Sequence, residues 1–195
     1  ESPFVTSVAA FGKGYFVDGV NYKKYTPPTE ATSNGVLETW AATKGEIPPR
    51  AKLITFWRGR MVLARDPEDP QDWHMSALGD PDNWDKDPAV HTATMAISGN
   101  NARCGKSPDI VNAIIPYSDD LLLFGGDSNI YRLTGDPMAG GQIDTVSTTT
   151  GIAYGQAWCK DPEGIVYFFG SRGGVYAMTP QGEIASLTSN KIERR

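Results

Sequence analysis

One plan is written four times along this chain: an apolar strand, a tight polar turn, a more strongly apolar strand, a Gly/Asp turn, and a strand carrying an aromatic residue. The four copies run over residues 8–27, 53–78, 113–135 and 157–180. Their marker aromatics are Tyr22, Trp73, Tyr131 and Tyr176, separated by steps of 51, 58 and 45 residues. A four-stranded propeller blade takes roughly 40 to 50 residues. The longer steps have a visible source in the loops 66–72 and 79–109. A small sheet cannot bury both of its faces alone, so neighbouring copies must stack around an axis. The expectation is an all-β, β-propeller-like fold of about four blade-like repeats, complete or as a segment of a larger ring. A β-sandwich also shows strands at such intervals, but here the order of features recurs as well as the spacing.

The local text agrees with strands. Glycine (21) and proline (14) are spread along the whole chain and cut the apolar residues into short runs. Leu53 to Trp57, Met61 to Ala64, Leu121 to Phe124 and Ile165 to Phe169 are rich in β-branched and aromatic residues, which suit a pleated surface. No sustained 3.6-residue period appears, so helices should be few and short. Asp18-Gly19, Gly125-Gly126-Asp127 and Arg172-Gly173-Gly174 supply the second turns. Residues 1–195 read as one propeller domain or a fragment of one, with repeats near 5–47, 48–109, 110–150 and 151–192. The first residue is Glu1 and the last Arg195, which reads as a piece of a longer polypeptide.

Charge narrows the partners. The formal net charge is −5, and basic residues are scattered, with Arg194-Arg195 the densest basic stretch. Affinity for nucleic acid comes largely from clustered cations that displace counterions. DNA contact is therefore expected only as passage through a lumen. No apolar run reaches bilayer length, so no membrane partner is expected. The two cysteines, Cys104 and Cys159, are read as reduced, buried thiols, and no Asn-x-Ser/Thr sequon occurs.

Catalytic text is missing. The stretch from Gly99 to Ser107 looks like a phosphate-binding loop, but its first glycine stands one residue too early, and Pro108 follows at once. Asp80, Asp82, Asp85 and Asp87 offer oxygens to a hard cation but lack EF-hand spacing, and an exposed turn explains them better. His74 and His91 are the two histidines, and neither stands at metal-ligand spacing from a cysteine or aspartate. No G-x-S-x-G elbow is present, and nothing marks a pair among the 23 acidic residues as a glycosidase pair. The expectation is no enzyme, no catalytic, cofactor-binding or metal-binding residue, and no cofactor. Of the tryptophans, Trp57 and Trp158 lie in apolar runs and should be core, whereas Trp40 is a candidate contact residue.

The second repeat carries the most specific text. Arg58-Gly59-Arg60 follows an apolar strand, and Ser76-Ala77-Leu78-Gly79-Asp80-Pro81 comes next, then the aromatic Trp84. The later repeats echo it in Ile130 to Gly135 followed by Thr150-Gly151, and in Gly173 to Tyr176 followed by Ile184 to Ile192. This pattern resembles β-propeller proteins of tailed-bacteriophage and prophage virions, of the tail-nozzle and neck type. The resemblance covers about residues 5–192 and rests on turn-and-strand patterns, not on a catalytic signature. It implies a structural virion component of the phage tail or neck, assembled in the host cytoplasm. It also implies partnership with further copies of itself and with other virion proteins. Other classes open to the same text are a carbohydrate-binding or glycan-cleaving propeller and a cellular protein-interaction propeller.

Overall fold

The computed structural model describes residues 4–30 and 33–188. The end of the fourth repeat (189–192) and the basic pair Arg194-Arg195 lie outside the described residues. Four antiparallel four-stranded sheets follow one another along the chain. Sheet I holds β1 (Thr6–Ala10), β2 (Lys13–Val17), β3 (Tyr22–Thr26) and β4 (Val36–Thr39). A short strand β5 (Lys44–Gly45) precedes sheet II, made of β6 (Leu53–Trp57), β7 (Arg60–Ala64), β8 (Trp73–Met75) and β10 (Ile97–Ser98). Between β8 and β10 the chain leaves the sheet, and β9 (Asn83–Trp84) pairs in parallel with β5. Sheet III holds β11 (Ala113–Ser118), β12 (Leu121–Gly125), β13 (Ile130–Thr134) and β14 (Gln142–Ser147). Sheet IV holds β15 (Trp158–Lys160), β16 (Val166–Phe169), β17 (Val175–Met178) and β18 (Ile184–Ser186). The helical element among the described residues is one 3₁₀ turn, Pro137–Ala139.

Side chains that alternate across the pleat explain how the sheets join. In β6, Ile54 packs toward sheet I, while Leu53 and Trp57 pack toward sheet III. In β7, Met61 and Leu63 face sheet I, and Val62 and Ala64 face sheet III. The same split recurs in β12, where Leu122 and Phe124 face sheet II and Leu123 faces sheet IV. Every residue of β7 is buried, because both faces of its sheet are covered. Three apolar cores result, one at each junction: I–II, II–III and III–IV.

The first hairpins are set by their turns. Phe11-Gly12 and Arg58-Gly59 both have positive φ at both positions (51° and 70°, 49° and 73°), the type I′ geometry that matches strand twist. A left-handed backbone is unfavourable for Phe11 and Arg58, and each gains a partner in the next sheet. Phe11 meets Phe56 edge-on, with ring centroids 5.3 Å apart. Arg58 donates to Asp119 O and Asp120 Oδ1 in the first turn of sheet III.

The marker aromatics all lie in third strands, but they do not all point the same way. Tyr22 pairs with Val17 and Trp73 with Ala64, each the last residue of the second strand. Tyr131 and Tyr176 pair one step earlier, with Phe124 and Phe168. That single step sends the first two toward the following sheet and the last two toward the preceding one.

Candidate functional site

The sequence-level match, Arg58-Gly59-Arg60 with Ser76 to Pro81, turns out to be one clasp. Gly79 N–H donates to Gly59 O (2.9 Å), and Arg60 Nη1 donates to Ser76 O (2.8 Å). Ser76 Oγ accepts from Met61 N–H (3.0 Å). Arg60 is buried and also donates to Met95 O and Ala93 O, so its fork holds the long loop that returns to β10. From Gly79 the chain crosses to sheet I. Asp82 Oδ1 accepts the indole N–H of Trp40 (2.8 Å), and Asp82 O accepts from Thr43 N–H (2.7 Å). Trp84 is buried against Trp40, with centroids 6.0 Å apart. The clasp thus ties sheet II to sheet I.

This corrects the reading of Trp40 as a contact residue: only 1% of it is exposed, because the excursion 76–84 covers it. Trp57, Trp73 and Trp84 are buried as well, and Trp158 is half-buried beside the III–IV core. No tryptophan is therefore laid open as a platform for sugar rings. Asp80, Asp85 and Asn83 accept backbone N–H groups two residues ahead, the hydrogen bonding of turns. Among the described residues no group of three or more His, Cys, Asp or Glu is placed to hold a metal. The glycine-rich stretch 99–107 forms turns, and Lys106 spends its charge on Asp69 at 2.5 Å.

One polar cluster beside sheet II was not visible as a pattern in the sequence. Lys86 Nζ donates to His74 Nδ1 (2.8 Å), which leaves the imidazole proton on Nε2, 3.6 Å from Asp72 Oδ2. Burial, helped by the adjacent Lys86 ammonium, pulls the His74 imidazole down to about 3. Burial likewise pushes the Asp72 carboxyl above its ordinary value, against the pull of Lys86. Asn100 donates to Asp72 Oδ2 (2.7 Å) and Asp69 Oδ2 (3.2 Å), joining loop 66–72 to the turn after β10. The cluster fastens two loops and opens onto no cavity lined by His74 or Asp72.

Surfaces offer more. The first strands of the four sheets border one cleft, lined by Thr6, Leu53, Thr55, Ile114, Gln156 and Trp158, with about 100 Å³ of space. Phe4 reaches across to Tyr154 edge-on (6.0 Å), and Arg65 stacks on the same ring at 5.2 Å. The outer face of sheet I carries two cross-strand rows, Ser7–Phe16–Lys23–Thr39 and Ala9–Gly14–Tyr25–Leu37. The outer face of sheet IV carries Cys159–Tyr167–Ala177–Ala185 and, beside it, the pair Phe169–Val175, extended by Ala157 and Leu187. Leu37 is 63% exposed and Phe169 58%. Cys159 is exposed here, not buried as its residue type suggests, while Cys104 is half-buried; both thiols are free.

No family model and no curated protein matches the chain. A solved structure with a similar backbone is Hsv2 of Kluyveromyces lactis, at 10% identity and a TM-score of 0.49, covering 90% of this chain and 48% of that one. The chain thus spans about half the length of that structure. No helix among the described residues is long and apolar enough to cross a membrane.

Proposed function

We propose that this chain is a propeller-type structural component of a phage virion, in the tail or neck, that works by subunit contacts and carries out no catalysis. The observation that supports the reading is the pair of outer sheet faces. A sheet face exposed to water ordinarily alternates to polar residues. The outer face of sheet IV instead presents Ala157, Cys159, Tyr167, Phe169, Val175 and Ala177, with no charged residue in either row. Contiguous apolar surface of this kind marks a place where another protein sits. The clasp built from Arg58-Gly59-Arg60 and Ser76 to Pro81 adds support, since the motif behind the virion resemblance is spent on holding sheets together. Partners are further copies of the chain and other virion proteins, met during assembly in the host cytoplasm.

Mass spectrometry of gradient-purified particles, from the phage or prophage that encodes the chain, tests the reading. Peptides of the chain should co-sediment with intact particles at a fixed ratio to the major virion proteins. Recovery in the soluble lysate alone would reject it.

A further inference from the structure

We propose that the outer face of sheet IV docks on the outer face of sheet I of a second copy of this chain, head to tail. The inference rests on the reading of the chain as a subunit that works by contacts, and it names the contact.

Direction within the stack carries the argument. At each internal junction, the forward face of one sheet meets the backward face of the next, first strand beside first strand from β1 to β6 to β11. Sheet IV ends the series with a bare forward face, and sheet I begins it with a bare backward face. The complement of the one is therefore of the same kind as the other. Like-to-like pairing would put two forward faces together, which no junction in this molecule does.

Charge at the turns agrees. At the II–III junction the first turn of sheet II is basic and that of sheet III acidic, joined by Arg58 and Asp120 at 2.6 Å. The first turn of sheet IV carries Asp161 and Glu163, and that of sheet I carries Lys13. In the head-to-tail arrangement these opposite charges are brought to one rim, where they set the register of docking.

Size decides the form of the assembly. Four strands about 4.8 Å apart and about five residues long give a footprint of roughly 300 Å² per face. A stable interface takes about 800 Å² from each partner. A single junction is small, so a closed ring, in which every copy makes two junctions, is favoured over an open pair.

Two variants test this together: Phe169→Glu on sheet IV and Leu37→Glu on sheet I, both exposed positions whose thermal melts should match the wild type. In sedimentation velocity, the wild-type chain should form a species of defined higher mass, and each variant alone should lose it. An equimolar mixture of the two should form a pair of twice the chain mass, because it restores one intact junction. Self-pairing of either variant would overturn head-to-tail docking in favour of like-to-like contact. A wild-type chain that stays monomeric across the concentration range would overturn docking by a second copy and leave the faces to sheets of another polypeptide. Either failure is separable from the virion reading, since the chain would still be recovered from purified particles.

Discussion

Arg58 Nη1 lies 2.6 Å from Asp120 Oδ1, so the first turn of sheet II is pinned to the first turn of sheet III. The same hairpin places Trp57 Nε1 2.6 Å from Ser118 O. The two contacts differ in weight. Asp120 is largely in water, and such a pair is worth about 0.2–1 kcal/mol. A double-mutant cycle of Arg58→Ala with Asp120→Ala should give a coupling in that range that shrinks at high salt. Trp57 is buried, and Trp57→Ala should cost about 3–5 kcal/mol by chemical denaturation. A coupling above the cost of the tryptophan would show that charge, not packing, holds this junction.

Asp82 and Trp40 make the matching link between sheets I and II. Asp82→Ala leaves a buried indole N–H without an acceptor, which should cost about 1–3 kcal/mol. In a Trp40→Phe background the same substitution should cost less, since no donor is left unpaired. Urea titration of the four proteins checks this; equal costs in both backgrounds would remove the hydrogen bond from the account.

Gly125 lies at the third junction with no room for a side chain. A Cβ there would sit 2.6 Å from Ile152 Cβ, and both residues are buried. Gly125→Ala should destabilise by about 1–3 kcal/mol through overpacking. That corresponds to a drop in Tm of at least about 2–4 °C for each kcal/mol in a chain of this size. An unchanged melting curve would mean that sheets III and IV are not seated against each other here.

His74 gives the fold a sensitivity to acid. Its folded value near 3 lies below the ordinary 6.5. Between those values the unfolded chain binds a proton that the folded chain does not, so stability falls as pH falls from about 6.5 toward 3. The slope is at most about 1.4 kcal/mol per pH unit for one proton. Asp72, whose value is raised by burial, acts in the opposite sense just above its unfolded value of 3.8. His74→Gln should flatten the loss between pH 6.5 and 5 in a series of thermal melts. An equally steep loss in that variant would assign the acid sensitivity to other groups.

The repeated all-β architecture was legible because strand-length apolar runs and Gly/Asp turns are local signals. The direction of each side chain was not. Tyr22 and Tyr131 occupy equivalent strands, yet one step in pairing register sends them to opposite neighbours, and nothing in the spacing of aromatics records that step. Trp40 read as a contact residue because its cover, Asp82 and Trp84, arrives more than forty residues later from another sheet. The loop 79–109 was visible as excess length, but it hides a strand of two residues, Ile97–Ser98, that completes sheet II. Such a strand is too short to carry a pattern. The cluster of Asp72, His74 and Lys86 escaped notice for a similar reason, since its partners meet only after the excursion from β8 folds back.

Cys159 stands in the middle of the outer face of sheet IV and reports directly on whether that face is covered. Its rate of alkylation should be measured on the wild-type chain over a wide range of protein concentration. The account predicts that Cys159 reacts quickly in dilute solution and becomes protected as concentration rises, while half-buried Cys104 reacts slowly throughout. A Cys159 rate that does not change with concentration would contradict it.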